Sequence, residues 1–183
     1  MRNLGVYMDS VLSMRTHIDK VSSACFYHLC RLRQLRYAVS KSTMQRLVSA
    51  LVLAQIDYCN SVLAGLPAIR FVPLKRVMNA AVRLVASLGV RDHVTPAMRE
   101  LHWLLVTSRV QYKLFLVVHA SVNSRSPEYI TDVLVPMSSL QGRATLRSST
   151  SGSFDVSRTR TGFGERAFSV VGPAAWNKLP PNL

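Results

Sequence analysis

Acidic side chains are scarce in this chain of 183 residues: nine Asp and Glu stand against 23 Lys and Arg, a formal charge of +14. No two of the nine are adjacent. Nucleotidyl transfer needs clustered carboxylates that hold two Mg²⁺ ions about 4 Å apart, and none are here. Cysteine is also sparse. Cys25, Cys30 and Cys59 form an odd set without CxxC spacing. That argues against a disulfide framework and a zinc knuckle, and it fits a reducing, intracellular location, nuclear or cytoplasmic. The five histidines, His17, His28, His93, His102 and His119, make no HExxH pair. His93 and His102 flank a Pro-started helix, but packing or capping suits each better than a shared metal. No glycine-rich phosphate loop occurs. Long apolar runs are missing too. Leu47–Ile56 and Leu114–Val122 are each about ten residues, far short of the roughly 20 that span a bilayer. The first twenty residues carry Asp9 and His17 and no continuous apolar run, so no secretory signal is read there. The expectation is a chain with no catalytic residues, no metal, no cofactor, no membrane span and no small-molecule substrate.

Hydrophobic residues make up 49% of the chain, enough for a core. Residues 4–8 read as a short strand with no visible partner, the end of a sheet whose other strands are missing. Residues 14–38 have helical periodicity, with Ile18, Val21, Cys25, Leu29, Leu32 and Leu35 on one stripe. Arg31, Arg33 and Arg36 close this helix, where cations suit the dipole. A second helix is predicted over 42–64, capped by Ser40 or Ser42, with Leu47, Leu51, Ala54, Tyr58 and Val62 inward and Gly65 and Pro67 as its stop. A third runs from Pro73 to Leu88 with Gly89 beyond it, burying Leu74, Val77, Ala81, Val85 and Leu88. Short helices start at Thr95-Pro96 and Pro127, and a longer one covers 108–122 with Val110, Leu114, Val117 and Val118 inward. Trp103 and Trp176 read as core anchors, and the cysteines as small buried hydrophobes.

Composition changes at 136. Residues 138–162 are rich in Ser, Thr, Arg and Gly and hold few apolar side chains to offset the entropy of ordering, so they read as a flexible basic arm. The division expected is therefore a strand-bearing segment 1–13, a helical domain 14–135, a low-complexity basic linker 136–162 and a docking segment 163–183. The fold class is mainly α: a helical bundle with an orphan N-terminal strand and a flexible basic arm.

An excess of charge this large calls for an acidic partner, and nucleic acid suits it better than a membrane surface. Arg76 and Arg83 share a helix face, Arg109 and Lys113 accompany Tyr112, and Arg143, Arg147, Arg158 and Arg160 lie along the arm. These eight are the candidate phosphate contacts. Each also reads as part of an ordinary solvated surface. Asp57 reads as the partner of a hydrogen bond or ion pair to a neighbouring helix rather than as a catalytic acid.

Five stretches in order carry a family resemblance. Leu4-Gly5-Val6-Tyr7-Met8-Asp9 followed by Leu12-Ser13 and His17-Ile18 is the first. Asp57-Tyr58-Cys59-Asn60-Ser61 with Leu63, Gly65, Leu66 and Pro67 is the second. Asn79-Ala80-Ala81 with Arg83-Leu84-Val85 is the third. Asp92-His93-Val94-Thr95-Pro96 with Leu101-His102-Trp103-Leu104 is the fourth. Gly164 and Arg166-Ala167-Phe168-Ser169, Gly172-Pro173, Trp176-Asn177 and Leu179-Pro180 make the fifth. Together they resemble the region after the palm in LINE-type (non-LTR) retrotransposon reverse transcriptases, over essentially the whole length. Leu105 departs from the family's usual proline.

The resemblance implies a thumb-like helical domain after a palm remnant at 1–13, with the polymerase motifs and the endonuclease domain of the parent lying outside this chain. It implies at most sequence-independent binding of RNA or an RNA–DNA hybrid, through backbone contacts by Arg and Lys. A truncated copy, a gene-model fragment or a decayed element fits such a start. The alternatives are a helical protein-interaction module and a translated relic without selected function.

Overall fold

The computed structural model describes residues 1–140 and 152–180. Within them the fold is mainly helical, in two compact units, Met1–Val110 and Gln111–Leu183. The sequence grouping of 14–135 therefore divides at 110/111, inside a helix.

The N-terminal strand is not an orphan. β1 (Arg2–Asn3) pairs antiparallel with β2 (Val6–Tyr7), Arg2 opposite Tyr7 and Asn3 opposite Val6. The two linking residues, Leu4 (φ 45°) and Gly5 (φ 83°), are both left-handed, as a tight two-residue hairpin with the right twist requires. The Tyr58 hydroxyl donates to the Leu4 carbonyl at 2.6 Å and pins this turn to the helices.

Helix α1 (Arg15–Gln34) buries His17, Ile18, Ser22, Cys25, Leu29 and Leu32. Leu35, expected inward, lies past the helix end and is exposed. Ser40 then caps α2 (Lys41–Val48) by accepting from the Thr43 N–H at 3.2 Å. A π-helical turn, Ser49–Leu53, continues into α3 (Ala54–Asp57).

The phase of this second helical stretch differs from the expected one. Met44, Val48, Val52 and Ile56 are buried, whereas Leu51, Tyr58 and Val62 are 37%, 53% and 43% exposed and Ala54 also faces out. An α-helix turns about 100° per residue, so a four-residue repeat drifts by roughly 40° per step. The wider π turn takes up that drift and keeps one face on the core. The Cys25 thiol meets the turn there, 3.7 Å from the Val52 carbonyl. The stretch stops at Asp57, before Gly65. Tyr58 is extended, Cys59 is left-handed (φ 50°), and Asn60–Leu63 forms a 3₁₀ turn.

Helix α4 (Val72–Ala86) has Pro73 in its first turn, where the missing N–H is harmless. It is buried along Leu74, Val77, Met78, Ala81, Val82, Leu84 and Val85, and α1, α2 and α5 (Thr95–Glu100) pack on it. Its left-handed cap is Ser87 (φ 57°), not Gly89. Gly89 instead gives its N–H to the Asp92 carboxylate at 2.7 Å. Leu101 and Trp103 are buried beyond α5.

Helix α6 (Val106–Val122) buries Val106 and Val110 in the first unit, and Leu114 and Val118 in the second. The second unit adds α7 (Glu128–Thr131) and α8 (Phe168–Trp176). Its core joins Val118, Leu134 and Phe154, flanked by Phe168 and Trp176.

Phe154 corrects the reading of 136–162 as linker and arm at residues 136–137 and 153–155. Residues 135–137 and 153–155 bridge antiparallel, with Asp155 N donating to Val135 O at 2.8 Å and Met137 N to Ser153 O at 3.0 Å. The Asn177 side chain grips Phe154 at both ends, accepting from its N–H at 3.0 Å and donating to its carbonyl at 2.8 Å. Trp176 Nε1 donates to Gly152 O at 3.2 Å, and its ring meets Phe154 edge to face at 6.4 Å. The expected arm residues Arg143 and Arg147 lie outside the described residues.

The phase of α2–α3 can be tested by truncation. Ile56→Ala removes a buried side chain and should cost about 2–5 kcal/mol. Leu51→Ala trims an exposed one and should cost under about 1 kcal/mol. Urea denaturation of the two variants should give that order, and the reverse would restore the phase read from the sequence.

Candidate nucleic-acid interface

The first unit contains fifteen Lys and Arg and five Asp and Glu. All five acids are committed within this unit. Asp9 accepts from the Ser13 N–H at 2.6 Å and hydroxyl at 2.8 Å, and the Ser13 hydroxyl bond leads in holding its carboxyl below the ordinary carboxylate value. Asp92 holds Gly89 N. Asp19 pairs with Arg15 at 3.9 Å, Glu100 with Lys41 at 3.0 Å, and Asp57 with Arg109 at 2.6 Å. Twelve of the fifteen cations are therefore left without a carboxylate partner among the described residues.

Asp57 and Arg109 form the best-built of these pairs. Arg109 is largely covered, donates through Nη1 to Asp57, and through Nε to the Leu104 carbonyl at 2.9 Å. Asn60, buried, adds a donor to Asp57 at 3.4 Å. The pair ties the end of α3 to the first turns of α6. Asp57 thus has the ion pair expected for it, and Arg109, expected among the phosphate contacts, is bound inside the fold.

The other candidates are placed differently. Arg76 is exposed on α4. Arg83, two turns on, is half-buried, and its Nε and Nη2 donate to the carbonyls of Gly89 at 3.2 Å and Asp92 at 3.3 Å. It braces the turn after α4 while keeping its charge. In the second unit Lys113, Arg158 and Arg160 are exposed.

Two cations that were not candidates belong beside Arg83. Arg33, on α1, and Arg36, just past its end, line one cavity of about 280 Å³ with Arg83. The sequence shows them three residues apart, the spacing that stacks side chains on one face. Reading the cluster only as a complement to the helix dipole hid this.

The thiols and histidines carry no reactive arrangement. Burial pushes the Cys25 thiol up to about 11. Cys59 is half-buried, and Cys30, expected inside, is exposed. Among the described residues no three His, Cys, Asp or Glu side chains gather as a metal site. His102 is exposed and left-handed (φ 54°). No described helix is long and apolar enough to cross a membrane. Comparison with family models, with curated proteins and with solved structures gives no match to this chain.

Buried His17 has its imidazole held below its ordinary 6.5 by desolvation, with the Tyr7 N–H 3.5 Å from Nδ1. The unfolded chain then binds the proton more readily than the folded one. Stability should fall as pH drops below about 6.5 and level off below the folded value. His17→Gln should flatten that slope in urea titrations across this range, and an unchanged slope would assign the acid sensitivity elsewhere. Asp57→Ala, which strands the covered Arg109 guanidinium, should cost about 1–3 kcal/mol by the same measurement.

Proposed function

We propose that this chain is the post-palm, thumb-like end of a LINE-type reverse transcriptase, without a polymerase site, and that it binds RNA or an RNA–DNA hybrid through the backbone inside the cell. The observation that carries the reading is the charge arrangement of the first unit. Its acids are all used in structural hydrogen bonds and ion pairs, which leaves twelve of its cations without a carboxylate partner among the described residues and suits an external polyanion. Phosphate is the anion that duplexes offer at regular spacing, and its neutralisation releases counterions. The ordered family-like stretches support that reading of the parent.

The second observation in support is structural economy in those stretches. Asp57, Tyr58 and Asn60 make a junction between hairpin, α3 and α6. Trp176 and Asn177 hold the backbone of 152–154. Motifs with these duties belong to a folding module, which suits a thumb that grips rather than reacts. The proposed contacts are Arg76 and Arg83 on α4, with Lys113, Arg158 and Arg160 in the second unit.

Binding should be indifferent to sequence and fall steeply from low to physiological salt. Arg76→Ala should weaken an RNA–DNA hybrid equally across sequences and reduce the log–log salt slope by about one. Adding Arg83→Ala should lower it again, with a melting curve recorded because Arg83 also braces the turn after α4. Salt titrations by fluorescence anisotropy measure both. Wild-type slope and affinity in both variants would remove the α4 face from the interface.

A further inference from the structure

The cavity shared by Arg33, Arg36 and Arg83 runs between the C-terminal halves of α1 and α4. Its remaining wall is apolar: Phe26 and Leu29 from α1, Leu84 from α4, and Leu88 and Val90 from the turn beyond. Phe26, Leu88 and Val90 are partly or largely exposed, so the apolar surface is open to a ligand. No carboxylate lines the cavity, and Asp92, two residues past Val90, directs its own onto the Gly89 N–H. At about 280 Å³ it falls just below small-molecule pockets, which span roughly 300–1,000 Å³. It is well above the roughly 150 Å³ that houses a benzene ring. The space suits one or two anchoring side chains.

We infer that this groove is a docking site for an acidic amphipathic helix of a protein partner. Leucine- or phenylalanine-type side chains a turn apart enter the apolar wall, as in other helix-in-groove recognition. Glutamates or aspartates flanking them meet the guanidiniums of Arg33 and Arg36, whose planar forks match carboxylates, beside the charge of Arg83, whose Nε and Nη2 are held by the Gly89 and Asp92 carbonyls. Charge complementarity selects this occupant. A second copy of a chain at +14 brings cations to cations. A nucleobase stacked on Phe26 would still set much of its polar edge against Leu29, Leu84, Leu88 and Val90, which offer no side-chain hydrogen bonds, and that is costly. The groove shares Arg83 with the proposed nucleic-acid face but not Arg76, and its apolar wall has no part in that reading.

The test uses the full chain and a labelled helical peptide carrying two leucines four residues apart among glutamates. Anisotropy should show binding to the wild type. Phe26→Ala/Val90→Ser should weaken it about tenfold or more, as loss of anchor contacts does, and leave hybrid affinity unchanged. Peptides with glutamine for glutamate, or alanine for leucine, should lose binding to the wild-type chain. That arm decides the matter even if the protein variant fails to fold. Equal binding of the glutamine or alanine peptide would overturn the inference, as would an undiminished affinity in the folded double variant. A matching loss of hybrid affinity in the double variant would make the groove a nucleic-acid subsite instead. A dimer in sedimentation that dissociates on the same substitutions would make it a self-interface.

Discussion

Burial of helix α4 is the constraint on which the first unit rests. Seven of its fifteen residues are buried, and three helices pack on it. Its inner rows are wholly apolar, with Leu74, Val77, Met78, Ala81, Val82, Leu84 and Val85, so they pack without polar atoms to satisfy. With three sides enclosed, polar side chains can lie only along the remaining strip. Arg76 and Arg83 are there because the core has taken every other direction. The same enclosure fixes where α1 and the stretch 41–57 lie, and hence which cations become neighbours at the far ends of α1 and α4.

The sequence was most legible where the apolar pattern is strictly one-sided. In α4, four of the five residues read as inward are buried, because arginine, lysine and asparagine mark the opposite face unambiguously. In Leu47–Ile56 the apolar residues surround the helix, so periodicity offers several equivalent stripes, and the one through Leu47, Leu51 and Ala54 is not the buried one. The tertiary contacts with α1 and α4, together with the π turn, break that degeneracy. The pairing of β1 with the strand read at 4–8 did not show because two-residue strands carry too little pattern to register. Phe154 was missed because one buried ring in a polar stretch does not alter its composition, although the later Trp-Asn pair was the signal that something is held there.

The candidate site was legible as charge but not as geometry. Counting residues gave the excess of cations, and the excess is real in the fold. Which cations are free depends on the few acids, and those pairings span long separations: Asp57 reaches Arg109, and Lys41 reaches Glu100. Local spacing cannot reveal them. Arg109 therefore moved from the candidate surface into the framework, while Arg33 and Arg36 moved from a helix-dipole role to the wall of a groove.

The π turn at Ser49–Leu53 has a further consequence, for changes of length. An extra residue in a single turn is geometrically what a one-residue insertion leaves when a helix absorbs it rather than breaking. The stretch therefore has an asymmetric response to insertion and deletion. Deleting one residue from this turn would restore regular α-helix and swing everything on one side of it by about 100° relative to the other. Met44 and Val48 would then leave the face that Val52 and Ile56 share. Substitution at these positions can be accommodated residue by residue, but the length of this turn cannot change without rebuilding the core.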